Sequence, residues 1–136
     1  MRRAEPNAVS VSGVGPATAA AWHRQLCGEQ RHLEAAMGVL VANSRRRAYR
    51  PLWLVVAHRA TGAPFLRWRG PAGEVKCPDV ACLLAREPAP VRAHYTGVAA
   101  QVEFLNARIS ATYAGLRLAE KLAPQACNTR LSITKV

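Results

Sequence analysis

From Val91 to Ala123 apolar side chains return at alternating steps of four and three: Val91, Tyr95, Val98, Val102, Leu105, Ile109, Thr112, Leu116, Ala119 and Ala123. That spacing keeps one face of an α-helix apolar over its whole length. The run from about Pro90 to Ala123 therefore predicts a helix on the order of 50 Å long, at ~1.5 Å per residue. Such a stripe must be buried against something. A partner is predicted over Pro16 to about Asn43, where Pro16 suits the first helical position and Trp22, Leu26, Leu33, Met37 and Leu40 recur at helical spacing. His23, Arg24, Gln25, Gln30, Arg31 and Glu34 are expected on its polar face. Pairing of the two stripes within the chain is the first expectation. A homodimer through the long C-terminal helix, alone or together with that pairing, is the alternative, and with it goes a rival function: a helical protein-interaction or dimerisation module with no direct nucleic-acid contact. Gly97 and Gly115 weaken that helix locally, although Ala114-Gly115 would let a neighbour approach closely.

Between the helices the period changes from 3.6 to 2. "YRPLWLVVAH" (Tyr49 to His58) is rich in β-branched and aromatic residues, and "FLRWR" (Phe65 to Arg69) follows the turn residues Thr61, Gly62 and Pro64. The two predict a β-hairpin. Leu52, Leu54 and Val56 share one face of the first strand, and Trp53, Val55 and Ala57 the other, so both faces are apolar. In the second strand Leu66 and Trp68 oppose Phe65, Arg67 and Arg69. Pro51 cannot donate to a ladder and belongs at a strand start or edge. A third short strand is expected near Val75, then a short helix from about Asp79 to Arg86. The predicted fold class is α+β: two long helices packed on a β-hairpin, with a short connecting helix. Residues 16–123 are read as a single domain, 1–15 as a flexible N-terminal arm and 124–136 as a short C-terminal tail.

Charge narrows the function. The 136 residues carry 19 Lys+Arg against 8 Asp+Glu, a formal charge of +11. A small domain so charged repels itself unless an anionic partner screens it. The excess is local: no acid lies between Glu34 and Glu74, while Arg45, Arg46, Arg47, Arg50, Arg59, Arg67 and Arg69 all do. Guanidinium groups match phosphate oxygens and stack on bases, so these seven are the candidate nucleic-acid-binding residues, Arg59 in the turn being the weakest. Trp53 and Trp68 would add stacking platforms for a single strand if exposed, or core if buried. No recognition helix is evident, so contact is expected with the phosphate backbone of a nucleic acid, without sequence readout; DNA is the favoured form, and the residues leave RNA open.

Other classes find little support. The acids Glu29, Glu34, Glu103 and Glu120 are spread over helix faces and do not pair as general acid and base. His23, His32, His58 and His94 are dispersed. Cys77 and Cys82 lack zinc-knuckle spacing, and "GVGPAT" at Gly13 lacks the lysine of a phosphate loop. No enzyme activity, metal or cofactor is expected. Four cysteines without a secretory pattern read as reduced thiols. No apolar run is long enough to span a membrane, so the expected location is cytoplasmic.

"GAPFLRWRG" closing the hairpin and "VEFLNARISATYAGLRLAEKLA" on the long helix together resemble the integrase regulator R family, small proteins carried by integrating conjugative elements. In that family a Phe-Leu-Arg-Trp-Arg segment precedes a helix with Leu-Asn, Ile-Ser and a Lys-Met-Ala-like end. The corresponding residues are Phe65, Leu66, Arg67, Trp68 and Arg69, then Leu105, Asn106, Ile109 and Ser110, then Lys121, Leu122 and Ala123. The resemblance spans about residues 25 to 123. It implies an accessory or regulatory role for a mobile element, bearing on integrase expression, and assigns no residue a chemical role.

Overall fold

The computed structural model describes residues 16–123; the expected arm and tail lie outside the described residues. Among the described residues the order is α1 (Pro16–Ser44), β1 (Trp53–His58), β2 (Pro64–Gly70), β3 (Gly73–Val75), α2 (Cys77–Leu84) and α3 (Ala89–Leu122). The α+β class is as expected, with the hairpin extended into an antiparallel three-stranded sheet of order β1-β2-β3. By its contacts the chain divides into two compact units, Met1–Gln30 with Thr112–Val136, and Arg31–Ala111.

The sheet belongs to the unit Arg31–Ala111. Trp53 pairs opposite Arg69, and the ladder continues to His58 opposite Pro64. Arg59 N–H donates to the Ala63 carbonyl at 2.9 Å and Gly62 N–H to that of Arg59 at 2.8 Å, closing the turn. Gly62 sits there at φ +91°, a conformation L side chains rarely adopt. Pro71 and Ala72 join β2 to β3, and Gly73 opens β3 at φ +116°. Strand β1 starts at Trp53, later than the expected Tyr49. Pro51 has no amide hydrogen for a ladder, and the Leu52 carbonyl instead accepts from the Tyr95 hydroxyl at 3.3 Å.

Alternation along β2 separates two environments. Leu66 and Trp68 are buried, as is Leu54 across from Trp68, and together they form the inner face. Tyr95 of α3 meets that face with its ring at 6.0 Å from Trp68. Farther along α3, Val102, Leu105 and Ile109 are buried as the stripe predicts. Asn106, on the next position, locks helix to strand. Its Oδ1 accepts from Leu66 N–H at 2.8 Å and its Nδ2 donates to the Leu66 carbonyl at 3.1 Å. Strand β3 reaches only Trp68, Arg69 and Gly70, so the side-chain amide stands in for a missing strand residue.

At the other end of the sheet Ser44 terminates α1. Its hydroxyl donates back to the Val41 carbonyl at 2.7 Å and accepts from Leu54 N–H at 3.0 Å. Helix α2 begins two residues earlier than expected, with Pro78 in its first turn, where a missing amide hydrogen leaves no bond unmade. Val80 and Leu84 are its buried side chains.

In the unit of Met1–Gln30 with Thr112–Val136, Leu26, Leu116 and Ala119 form the buried cluster, with Trp22 and Cys27 against it. Gly115 permits this closeness: a Cβ there would lie 3.1 Å from Leu26 Cδ1. Gln30 Nε2 donates to the Tyr113 hydroxyl at 2.9 Å. One sequence expectation fails here. The pattern of α1 predicts His23 on the polar face, yet it is only 5% exposed, because it lies on the same four-and-three stripe as Ala19 and Leu26 and bonds across to Glu120.

Two stability changes follow. Replacing Asn106 with Ala strands both polar groups of the buried Leu66 backbone, and chemical denaturation is expected to register a loss of ~2–4 kcal/mol. Gly97→Ala is expected to add about 0.5–1 kcal/mol, since nothing lies within 4 Å of the new Cβ.

Candidate nucleic-acid interface

The register that buries Leu54, Leu66 and Trp68 turns the alternate side chains outward. On β1 these are Trp53, Val55 and Ala57, paired in turn with Arg69, Arg67 and Phe65 of β2. Arg69 is exposed and the other five are half-exposed. A row of apolar side chains thus lies beside a row of guanidinium stems.

The flanking segments extend the row at both ends. Arg45 and Arg50, from the segment between α1 and β1, line a cavity of about 350 Å³ together with Trp53. Arg50 Nη1 donates to the Arg45 carbonyl, which holds that segment in a tight curl. In the turn, the Arg59 guanidinium lies 4.5 Å from the centre of the Phe65 ring, and Arg67 lies 6.0 Å from the same ring. One strip results: Arg45 and Arg50, Trp53, Arg69, Arg67, Phe65, Arg59.

Compensation along this strip is slight. Arg67 Nη2 is paired with Glu74 Oε1, on the neighbouring β3. Their side chains are 36% and 42% exposed, so the pair contributes only ~0–1 kcal/mol and is open to exchange for another anion. Among the described residues no carboxylate contacts Arg45, Arg46, Arg50, Arg59 or Arg69.

Two of the seven candidates stand apart. Arg46 is exposed just past the end of α1, its amide donating to the Asn43 carbonyl at 3.2 Å. Arg47 turns away from the outer face, its guanidinium 6.0 Å from the centre of the Tyr95 ring on α3. There it joins a polar cluster that sequence gave no sign of. Burial raises the Tyr95 hydroxyl above its ordinary pKa, and Arg47 opposes that shift. Burial, followed by the charge of Arg47, holds His94 below the ordinary imidazole value. Tyr49 donates its hydroxyl to the Glu87 carboxylate, 2.8 Å from the nearer oxygen, and that bond raises the Tyr49 pKa.

The two tryptophans part company as well. Trp68 is 5% exposed and belongs to the core, so it offers no stacking platform. Trp53 remains half-exposed on the strip. The readable clue was parity: Trp68 alternates with Arg67 and Arg69, whereas Trp53 pairs with Arg69.

On the inner side a cavity of about 440 Å³ is lined by Trp68, Val75, Val80, Leu84, Tyr95 and Asn106, among others. Among the described residues no group of three or more His, Cys, Asp or Glu is placed to hold a metal ion. No described helix is long and apolar enough to cross a membrane. Compared with known family models, curated proteins and solved structures, the chain matches none.

The placement of Arg47 is measurable through its neighbour. In Arg47→Gln the His94 midpoint, followed by NMR, is expected to rise toward the ordinary imidazole value but stop short of it, because burial is the larger cause and remains.

Proposed function

We propose that this chain binds nucleic acid, DNA before RNA, through the outer face of its sheet and the arginines at either end. The observation that supports this reading most is a single strip bearing Arg45, Arg50, Arg59, Arg67 and Arg69, of which only Arg67 meets a carboxylate among the described residues. Trp53 to Ala57 covers ~13 Å at ~3.3 Å per residue. With the flanking arginines added, the strip matches a short length of phosphate backbone. Guanidinium forks pair with phosphate oxygens at such a surface, and the half-exposed Trp53 adds a face on which an unpaired base can stack. Backbone contact of this kind positions a protein without reading sequence.

The biological setting rests on the resemblance of the Phe65–Arg69 and Val102–Ala123 segments to the integrase regulator R family. On that basis the protein acts as an accessory or regulatory factor of an integrating conjugative element, with an effect on integrase expression, and it is no enzyme. A cytoplasmic location belongs to the same proposal. A second reading, pairing of the chain with a copy of itself through α3, is favoured by one observation: Phe104 of that helix is 60% exposed. Light scattering tests this second reading, which requires twice the chain mass.

A salt titration of binding to labelled duplex and single-stranded DNA tests the first. With five arginines on phosphates the slope of log affinity against log salt is expected at roughly −4 to −5 for duplex and about −3 to −4 for single strands. Arg45→Gln with Arg50→Gln should flatten the slope by about 1.8 for duplex and about 1.4 for single strands, and Glu74→Gln, which frees Arg67, should tighten binding. Absence of binding at low salt would sink the proposal.

A further inference from the structure

A second constellation lies in the other unit, far in sequence from the arginines. His23 and Cys27 are four residues apart on α1, so their side chains share a face. Cys27 Sγ lies 3.7 Å from His23 Nδ1. The opposite ring nitrogen, Nε2, lies 3.2 Å from Glu120 Oε2 on α3. The His23 side chain is 6% exposed and that of Glu120 22%, while Cys27 is partly open to solvent.

The proton assignment follows from what each group can do. An ionised carboxylate only accepts, so Glu120 draws the imidazole proton to Nε2 and leaves a lone pair on Nδ1. That lone pair faces the Cys27 thiol. Burial fixes the ring between its two partners, and a neutral ring so oriented is set to receive the thiol proton. A nucleophile, a base within reach and a third group orienting the base are the parts of an activated thiol. A lone exposed thiol such as Cys82 has none of these contacts among the described residues.

We propose that Cys27, His23 and Glu120 form a proton relay that makes Cys27 a site of oxidation by hydroperoxides. The thiol proton passes to His23 Nδ1. The sulfur attacks one peroxide oxygen, an S–O bond forms and the O–O bond breaks. The leaving group, hydroxide from hydrogen peroxide or alkoxide from an organic hydroperoxide, takes the proton back from His23 and departs as water or as the alcohol. Sulfur loses two electrons and the peroxide gains them, so the product is a sulfenic acid on Cys27. The reaction uses partial exposure: the sulfur is reachable beside the cluster of Leu26, Leu116 and Ala119, while the His23 base is almost wholly buried.

The test treats the reduced full-length chain with hydrogen peroxide at pH 7, traps sulfenic acid with dimedone and assigns sites by peptide mass spectrometry. Cys82, the more exposed thiol, is the internal reference. Cys27 is expected to be trapped at least tenfold faster than Cys82. His23→Gln should cut the Cys27 rate about tenfold, and Glu120→Gln severalfold, with the Cys82 rate unchanged. A Cys27 rate no greater than that of Cys82, or one that survives both substitutions, overturns the proposal. Should either variant fail to fold, as judged by circular dichroism, the comparison within the unaltered chain decides the matter.

Discussion

The arrangement depends on one side-chain amide. Asn106 supplies to the Leu66 backbone the acceptor and donor that a longer third strand would have provided. A buried backbone pair left unmatched costs more than the bond itself is worth, so the helix and the central strand are held at a single relative position. That position selects which side of β2 faces inward. Since side chains alternate strictly along a strand, a slip of one residue would bury Arg67 and Arg69 and expose Leu66 and Trp68. The inner core and the outer arginine row are therefore two consequences of one register.

The charge of the outer face makes physical sense only with that register in place. Burying Leu54, Leu66 and Trp68 supplies the hydrophobic contribution, and the guanidinium groups stay in solvent with their stems along Val55 and Trp53. Keeping them together raises electrostatic self-repulsion, and Glu74 offsets little of it. The cost is tolerable in a domain whose core lies elsewhere. A polyanion relieves it, which is why clustered arginines read as binding capacity rather than stabilisation.

The outward and inward arginines also differ in what they can do. Arg45, Arg50 and Arg69 lie on the strip and meet no carboxylate among the described residues. Arg47 instead spends its charge on Tyr95 and His94, at the sheet-facing side of α3. Arg45 and Arg47, two positions apart in a run of three arginines, thus face different surroundings, one beside Trp53 and the other over the Tyr95 ring.

Much of this was legible beforehand. The stripe from Val91 to Ala123 marked α3 almost to the residue, since helical period is a property of local sequence, and β2 alternation separated Leu66 and Trp68 from the arginines. Gly62 marks a turn for the same local reason. What local pattern could not carry was pairing between distant segments. Sequence alone gives Asn106 no task, puts His23 on the solvent face and does not distinguish Arg47 from its neighbours. Each is settled by a partner 40 or more residues away. Periodicity specifies which face of an element is apolar, but only tertiary packing brings a particular carboxylate, ring or backbone amide within hydrogen-bond reach, because that distance depends on every element between them.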